Sequence, residues 1–300
     1  MKFWKKKPKR QTTAKSKTNT ASPKQVPKWE PKSRPVPPPK LKPDMSKKSA
    51  TVQKEFKRQD ARKEFLRVFK QLTSRHRAWD IWRDFIIMFA CAISNSLDKS
   101  HYDEREKQYL KIIKKYNKQE QNLFPELTAH TVMALEENPE QDFLGGIFME
   151  LNLGNGSNGQ FFTPYHVCDL MAKIAMTESV VREVNEKGYI TICDSCCGAG
   201  ATLIAGIHEA KRQLEKENLN YQNHVLVVGQ DIDEIVALMC YIQLSLLGVA
   251  AYIKIGNTFT DPIDPNDTTE NYWFTPIYFS DVWVTRRLVH KMDDLLKGEK

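Results

Sequence analysis

A chain of 300 residues with 41% apolar side chains has room for one or two domains around a sizeable core, and it contains no run of about eighteen apolar residues that would make a membrane helix. Its net charge of +8 is uneven: residues 1–48 hold sixteen Lys or Arg against two acids, a net +14, which leaves −6 for the rest and points to a basic arm rather than a basic face. Six cysteines with one CxxC spacing, Cys193 to Cys196, but no second such pair and no His cluster predict a reduced, cytoplasmic protein with no metal site, and the basic N-terminus lacks the apolar stretch of a secretory signal.

Residues 1–50 are rich in Pro, Lys, Ser and Thr, which predicts a disordered basic tail with polyproline character over 34–40. Such a tail either tethers nucleic acid by counterion release, with Trp4 and Trp29 available to stack on bases, or is only a solvated extension. From Thr51 the pattern turns helical. Phe65, Val68, Phe69 and Leu72 share one helix face, and Trp79, Trp82, Phe85, Ile86 and Phe89 share another; both stripes read most simply as core. Further helices over 104–117, 123–137 and 141–151 complete a helical domain at 51–153.

The glycine-rich loop 154–159 opens an α/β domain at 154–300. An amphipathic helix is expected over 164–176, with Val167, Leu170, Met171 and Ile174 as its apolar face. A strand over 189–193, a helix over 201–214, a strand over 225–229, a helix over 235–247 closed by Gly248, and a strand over 251–255 follow. Strand, helix, strand, helix, strand with short links is half of a doubly wound sheet. After it, 279–283 reads as one more strand and 285–296 as a basic helix.

Four segments of this domain carry chemistry. Gln160-Phe161-Phe162-Thr163-Pro164 precedes the first helix. Asp194-Ser195-Cys196-Cys197-Gly198-Ala199-Gly200 joins the first strand to its helix. Here glycines let backbone N–H groups approach a ligand, and the helix dipole favours a carboxylate or phosphate. Gly229-Gln230-Asp231 ends the second strand on an acid placed where a ribose would be held, and Gly256-Asn257-Thr258 ends the third. Taken singly, Asp194 and Asp231 would be turn caps.

In this order, over about residues 140–260, the segments resemble the adenine-N6 DNA methyltransferases, specifically the modification-subunit branch of type I restriction systems. That family carries Gly-Gln-Phe-Tyr-Thr-Pro, Asp-Pro-x-Cys-Gly-Ser-Gly, Gly-Gln-Glu and Gly-Asn/Asp-Thr. The resemblance implies a Rossmann-like methyltransferase core, here with an incomplete sheet, that binds S-adenosylmethionine (SAM). It assigns Gln160, Phe161, Phe162, Thr163 and Pro164 to the methionine end, with Thr163 on the carboxylate. Asp194 would take the ammonium group, and Cys196, Gly198 and Gly200 would line the turn. Asp231 would hold the ribose hydroxyls, while Ile232 and Asn257 would meet the adenine. Cys196 and Cys197 read as small fillers of the turn, and His166 and His208 as helix-surface residues.

One departure matters. The family places Asn/Asp-Pro-Pro-Tyr/Phe at the end of the fourth strand, where it accepts the adenine N6 hydrogens and stacks on the flipped base. This chain has no such tetrad; Thr275, Pro276 and Tyr278 are the nearest match and hence the candidate catalytic residues. The resemblance therefore implies methyl transfer from SAM to adenine N6 in DNA. The alternative is a non-catalytic DNA-binding accessory protein that keeps the SAM pocket. A dinucleotide oxidoreductase is disfavoured because the turn lacks GxGxxG. A half-sheet leaves an exposed edge, which a partner subunit, a second copy or the final segment would cover.

Overall fold

Helices begin where a side chain can cap them and continue where apolar residues recur with a 3.6 period. α1 (Ala61–Leu72) starts at Asp60, whose carboxylate accepts the N–H groups of Arg62 and Lys63, and it buries Phe65, Val68, Phe69 and Leu72. α2 (Ala78–Asn95) buries Trp82, Phe85 and Ile86, so the tryptophan stripe is core. α3 (Tyr102–Ile113) follows, and α4 (Lys118–Glu137) opens with a capping box formed by Asn117 and Glu120. α5 (Phe143–Glu150) is capped by Asp142. This computed structural model describes residues 60–154, 162–176, 179–264 and 267–298, and the side chains of these except 179, 290, 291 and 293–298. The expected basic tail lies outside the described residues.

α6 (Tyr165–Ala175) departs from the pattern reading. Its buried positions are Cys168 and Ala172, which meet Ala201 and Ala205 of α8 (Ala201–Lys216). Val167, Leu170, Met171 and Ile174 face outward, with Leu170 58% and Ile174 69% exposed. Small side chains let two helices approach closely, and that seam decides the buried face over the larger apolar stripe. α7 (Ser179–Lys187) leads into the sheet.

Strands β1 (Ile190–Asp194), β2 (Val225–Asp231) and β3 (Ala250–Ile255) are parallel and lie side by side in that order. Asp194 pairs with Gly229, and Asp231 with Ile255, so the two acids stand at neighbouring strand tips. β4 (Tyr272–Phe274) adds antiparallel to β3. The crossovers are α8, then the short α9 (Tyr221–His224), and α10 (Glu234–Leu246). α10 ends at Gly248, whose positive φ of 67° lets Val249 N–H turn back to Leu244 O. Among the described residues no strand pairs with the other edge of β1, and Thr191 and Cys193 on one of its faces are exposed.

The expected strand over 279–283 does not form. Pro276–Phe279 makes a 3-10 turn, in which Pro276 has no N–H to give a ladder, and α11 (Asp281–Gly298) starts directly after it. Trp283 is buried and donates its indole N–H to Gln222 O at 2.8 Å.

One continuous apolar core runs from α1 through α5 into α8, α10 and the sheet. A buried cation reinforces the junction. Arg105 of α3 donates to Asp98 at 2.9 Å, to the Ser94 hydroxyl, and to Tyr272 O at 2.8 Å, and it lies 3.8 Å from the centre of the Trp273 ring. Removing one partner of a buried pair strands the other. Arg105→Ala is expected to lower unfolding free energy by about 3–5 kcal/mol in urea denaturation; an unchanged midpoint would show that the helices and β4 do not depend on this tie.

Candidate active site

The turn after β1 is held by the acids that flank it. Asp194 accepts the Cys196 N–H at 3.0 Å and the Thr202 hydroxyl. Asp231 accepts the Gly198 N–H at 2.9 Å and, through its other oxygen, the Asp233 N–H at 3.0 Å. Cys197 N–H reaches Gln230 O, and the Thr258 hydroxyl reaches Ser195 O, so the loop after β3 is tied to the same turn. Both acids thus act as caps, and each carboxylate oxygen still has lone-pair capacity for a ligand. Gly198 and Gly200 have φ of 55° and 97°, values that side chains rarely adopt.

These elements enclose a cavity of about 390 Å³. It brings together six residues anticipated from the sequence: Phe162, Thr163, Asp194, Cys196, Gly198 and Asp231. Phe162 packs on Phe148 of α5, with ring centres 5.3 Å apart, and lies beside Gly198. Gly200 shapes the turn without lining the cavity, and Pro164 caps α6. Ile232 is 67% exposed and Asn257 spends its side-chain oxygen on the Phe259 N–H; neither lines the cavity. Gln160 and Phe161 lie outside the described residues.

Four lining residues outside the motif segments were missed by sequence reasoning: Asp142, Ala201, Thr202 and Val236. Asp142 arrives as the N-cap of α5, where one oxygen accepts Gly145 N–H and the Gln243 amide, each at 2.8 Å. Gln243 is fully buried and also donates to Ala199 O and accepts Leu144 N–H. Burial pushes the Asp142 carboxyl above the ordinary carboxylate range. The expected helix over 141–151 placed Asp142 inside the helix rather than at its cap, and its delivery to the turn depends on the distant Gln243. Among the described lining residues there are three carboxylates and no Lys, Arg or His.

Two expectations need correction. Thr275 is buried, donates its hydroxyl to Val249 O at 2.6 Å and accepts Ala251 N–H at 2.8 Å. Because β4 runs antiparallel, Thr275 stands beside Ala251, four residues and about 13 Å back from the tip of β3. Pro276 begins the 3-10 turn, and Tyr278 packs on Phe274 with the Arg287 guanidinium 3.9 Å from its ring centre. None of the three lines the cavity. His208, expected on a helix surface, is buried and meets Pro139 O through Nε2 at 2.9 Å; burial lowers its proton affinity. Cys197 is likewise buried, and the neighbouring Cys240 thiol together with burial raises its pKa, so it is no thiolate nucleophile.

A Cβ on Gly200 would lie 2.8 Å from the Cys240 sulfur, in a backbone conformation that already disfavours side chains. Gly200→Ala is expected to cost about 1–3 kcal/mol of stability, read as a lowered Tm in calorimetry. A variant as stable as the parent would mean that this turn tolerates other conformations.

Comparison with known proteins gives two matches. The family model described as N-6 DNA Methylase matches residues 145–296. The crystal structure of the type I restriction-modification system methyltransferase subunit from Streptococcus thermophilus aligns at 13% identity and a TM-score of 0.40, covering 70% of this chain and 60% of that one. No curated protein matches the sequence.

Proposed function

The chain belongs to the N-6 DNA methylase family, and from that premise we propose that its cavity binds SAM for methyl transfer to adenine N6 of DNA. The observation that carries this reading is the charge of the cavity. A glycine-rich turn at a helix N-terminus ordinarily suits a phosphate. Here a pyrophosphate would face Asp142, Asp194 and Asp231 with no basic side chain in the described lining to offset them. SAM carries two cationic centres and one carboxylate, which matches acids around a helix N-terminus.

In this reading Asp231 accepts the ribose hydroxyls and Asp194 the ammonium group. Thr163 meets the carboxylate, and Phe162 covers the methionine end. Ile232 and Phe259, the latter 93% exposed, flank the rim as the apolar contacts of the adenine ring. When bound, the cofactor supplies an electrophilic methyl group on sulfur. The cavity walls orient it and exclude water.

The base-holding half of the reaction is a separate matter. With Thr275 used inside the sheet, the segment nearest to the base-holding motif supplies no acceptor beside the cavity. We place that function on a polypeptide seated along the free edge of β1, supplied by a partner subunit or a second copy. The basic segment 1–48 then serves as a DNA tether. The position of Thr275 also favours the second reading, an accessory DNA-binding protein that keeps the cofactor pocket; methyl transfer to DNA by the purified chain would exclude it.

Isothermal titration is expected to show micromolar SAM binding, weakened about 10- to 100-fold or more by Asp194→Ala and by Asp231→Ala, because each removes a charge-assisted contact. No heat with the wild type would end the cofactor proposal. Thr275→Val should lower stability by about 1–3 kcal/mol, through the unpaired Ala251 N–H and Val249 carbonyl, yet leave SAM affinity within about twofold. A large loss of affinity would return Thr275 to the site.

A further inference from the structure

An ammonium group has three N–H donors and needs several acceptors. Asp194 already accepts from Cys196 and Thr202 through its two oxygens. Asp142 is differently placed. Its Oδ1 holds Gly145 N–H and Gln243, while among the described residues Oδ2 receives no hydrogen bond. We propose that Asp142 is a third ligand-binding acid of the cavity and holds the α-ammonium group of SAM together with Asp194, at the end away from Asp231. This rests on the cofactor reading above.

Three observations support the assignment. Asp142 lines the same cavity as Asp194 and Asp231, although it belongs to the helical part of the chain. Its position is enforced on two sides. Gln243, fully buried, ties its Oδ1 to the turn through Ala199 O, and a Cβ at Gly145 would fall 2.0 Å from its Oδ2, so residue 145 leaves room for that oxygen. Finally, the Cys168 thiol of α6 meets Thr163 O at 3.8 Å, and its pKa is raised by burial and by the charges of Asp142 and Asp194. A desolvated carboxylate without a protein counter-cation is also the group most relieved by a bound cation.

The test uses Asp142→Asn in the full chain. Asparagine keeps the Oδ1 acceptor for Gly145 and Gln243 and is an equally good helix cap, so the substitution removes charge with little else. Titrations with SAM, S-adenosylhomocysteine and methylthioadenosine separate the possible contacts, since the first two carry the ammonium group and the third lacks the amino-acid portion. The expected result is a loss of about 10- to 100-fold for SAM and for S-adenosylhomocysteine, with methylthioadenosine unchanged. The ligand-free variant should melt no lower than the wild type at neutral pH. A loss for SAM alone would put Asp142 at the sulfonium and overturn the ammonium assignment. Equal loss for all three ligands, a lowered Tm, or no loss at all would also overturn it. A wild type that binds none of the three would instead overturn the cofactor reading on which the assignment stands.

Discussion

The side-chain amide of Gln243 is the contact on which the site depends most. It is fully buried, and its three hydrogen bonds tie α10 to two other elements: α5, through its cap Asp142 and the Leu144 backbone, and the turn, through the Ala199 carbonyl. A buried amide is stable only when its donors and acceptor are all used, and here they are. The apolar core presses the same elements together without specifying their register. The amide does specify it. That is how a helix from the first half of the chain becomes a wall of a cavity built mainly from two strand tips.

Much of this was legible in the residues. The five helices of the first half, the order of the three parallel strands, and the turn at Asp194 to Gly200 follow from period, length and glycine placement. The two acids followed from their place at strand ends. What was not legible shares a physical cause, namely dependence on a contact distant in sequence. α6 turned its larger apolar face outward because Cys168 and Ala172 found a small-residue seam on α8. β4 is three residues long and exists because β3 offers an edge. Thr275 resembles part of a catalytic motif in sequence, yet the antiparallel direction of β4 carries it down the sheet rather than to the tips. Asp142 read as part of a helix and nothing more until Gln243 placed it.

The charge of the cavity constrains chemistry more tightly than its shape does. Many folds place a glycine-rich turn at a helix N-terminus, and the backbone groups there would welcome any anion. Carboxylates at both neighbouring strand tips and a third at a helix cap bias that welcome toward a ligand that is cationic overall but presents one anionic group. The same acids brace the turn by capping its N–H groups, so they serve the fold and the pocket at once. Substitutions at Asp194 or Asp231 consequently report on both, and only a variant that preserves the caps isolates binding.

On the other face of the sheet, Lys254 is buried and gripped by Asp261 and Asp267 at 2.6 Å each, with Pro262 O at 2.9 Å. Its hydrogen bond holds the Asp267 carboxyl down to about 2. A carboxylate held that low keeps its charge through any pH above about 2, and the Lys254–Asp267 bond with it. The backbone leading away from β3 is thus pinned from beneath by a permanent ionic rivet. For the proposed cofactor, the ordering entropy of that segment was spent when the chain folded, and its binding energy need not go to stiffening that side.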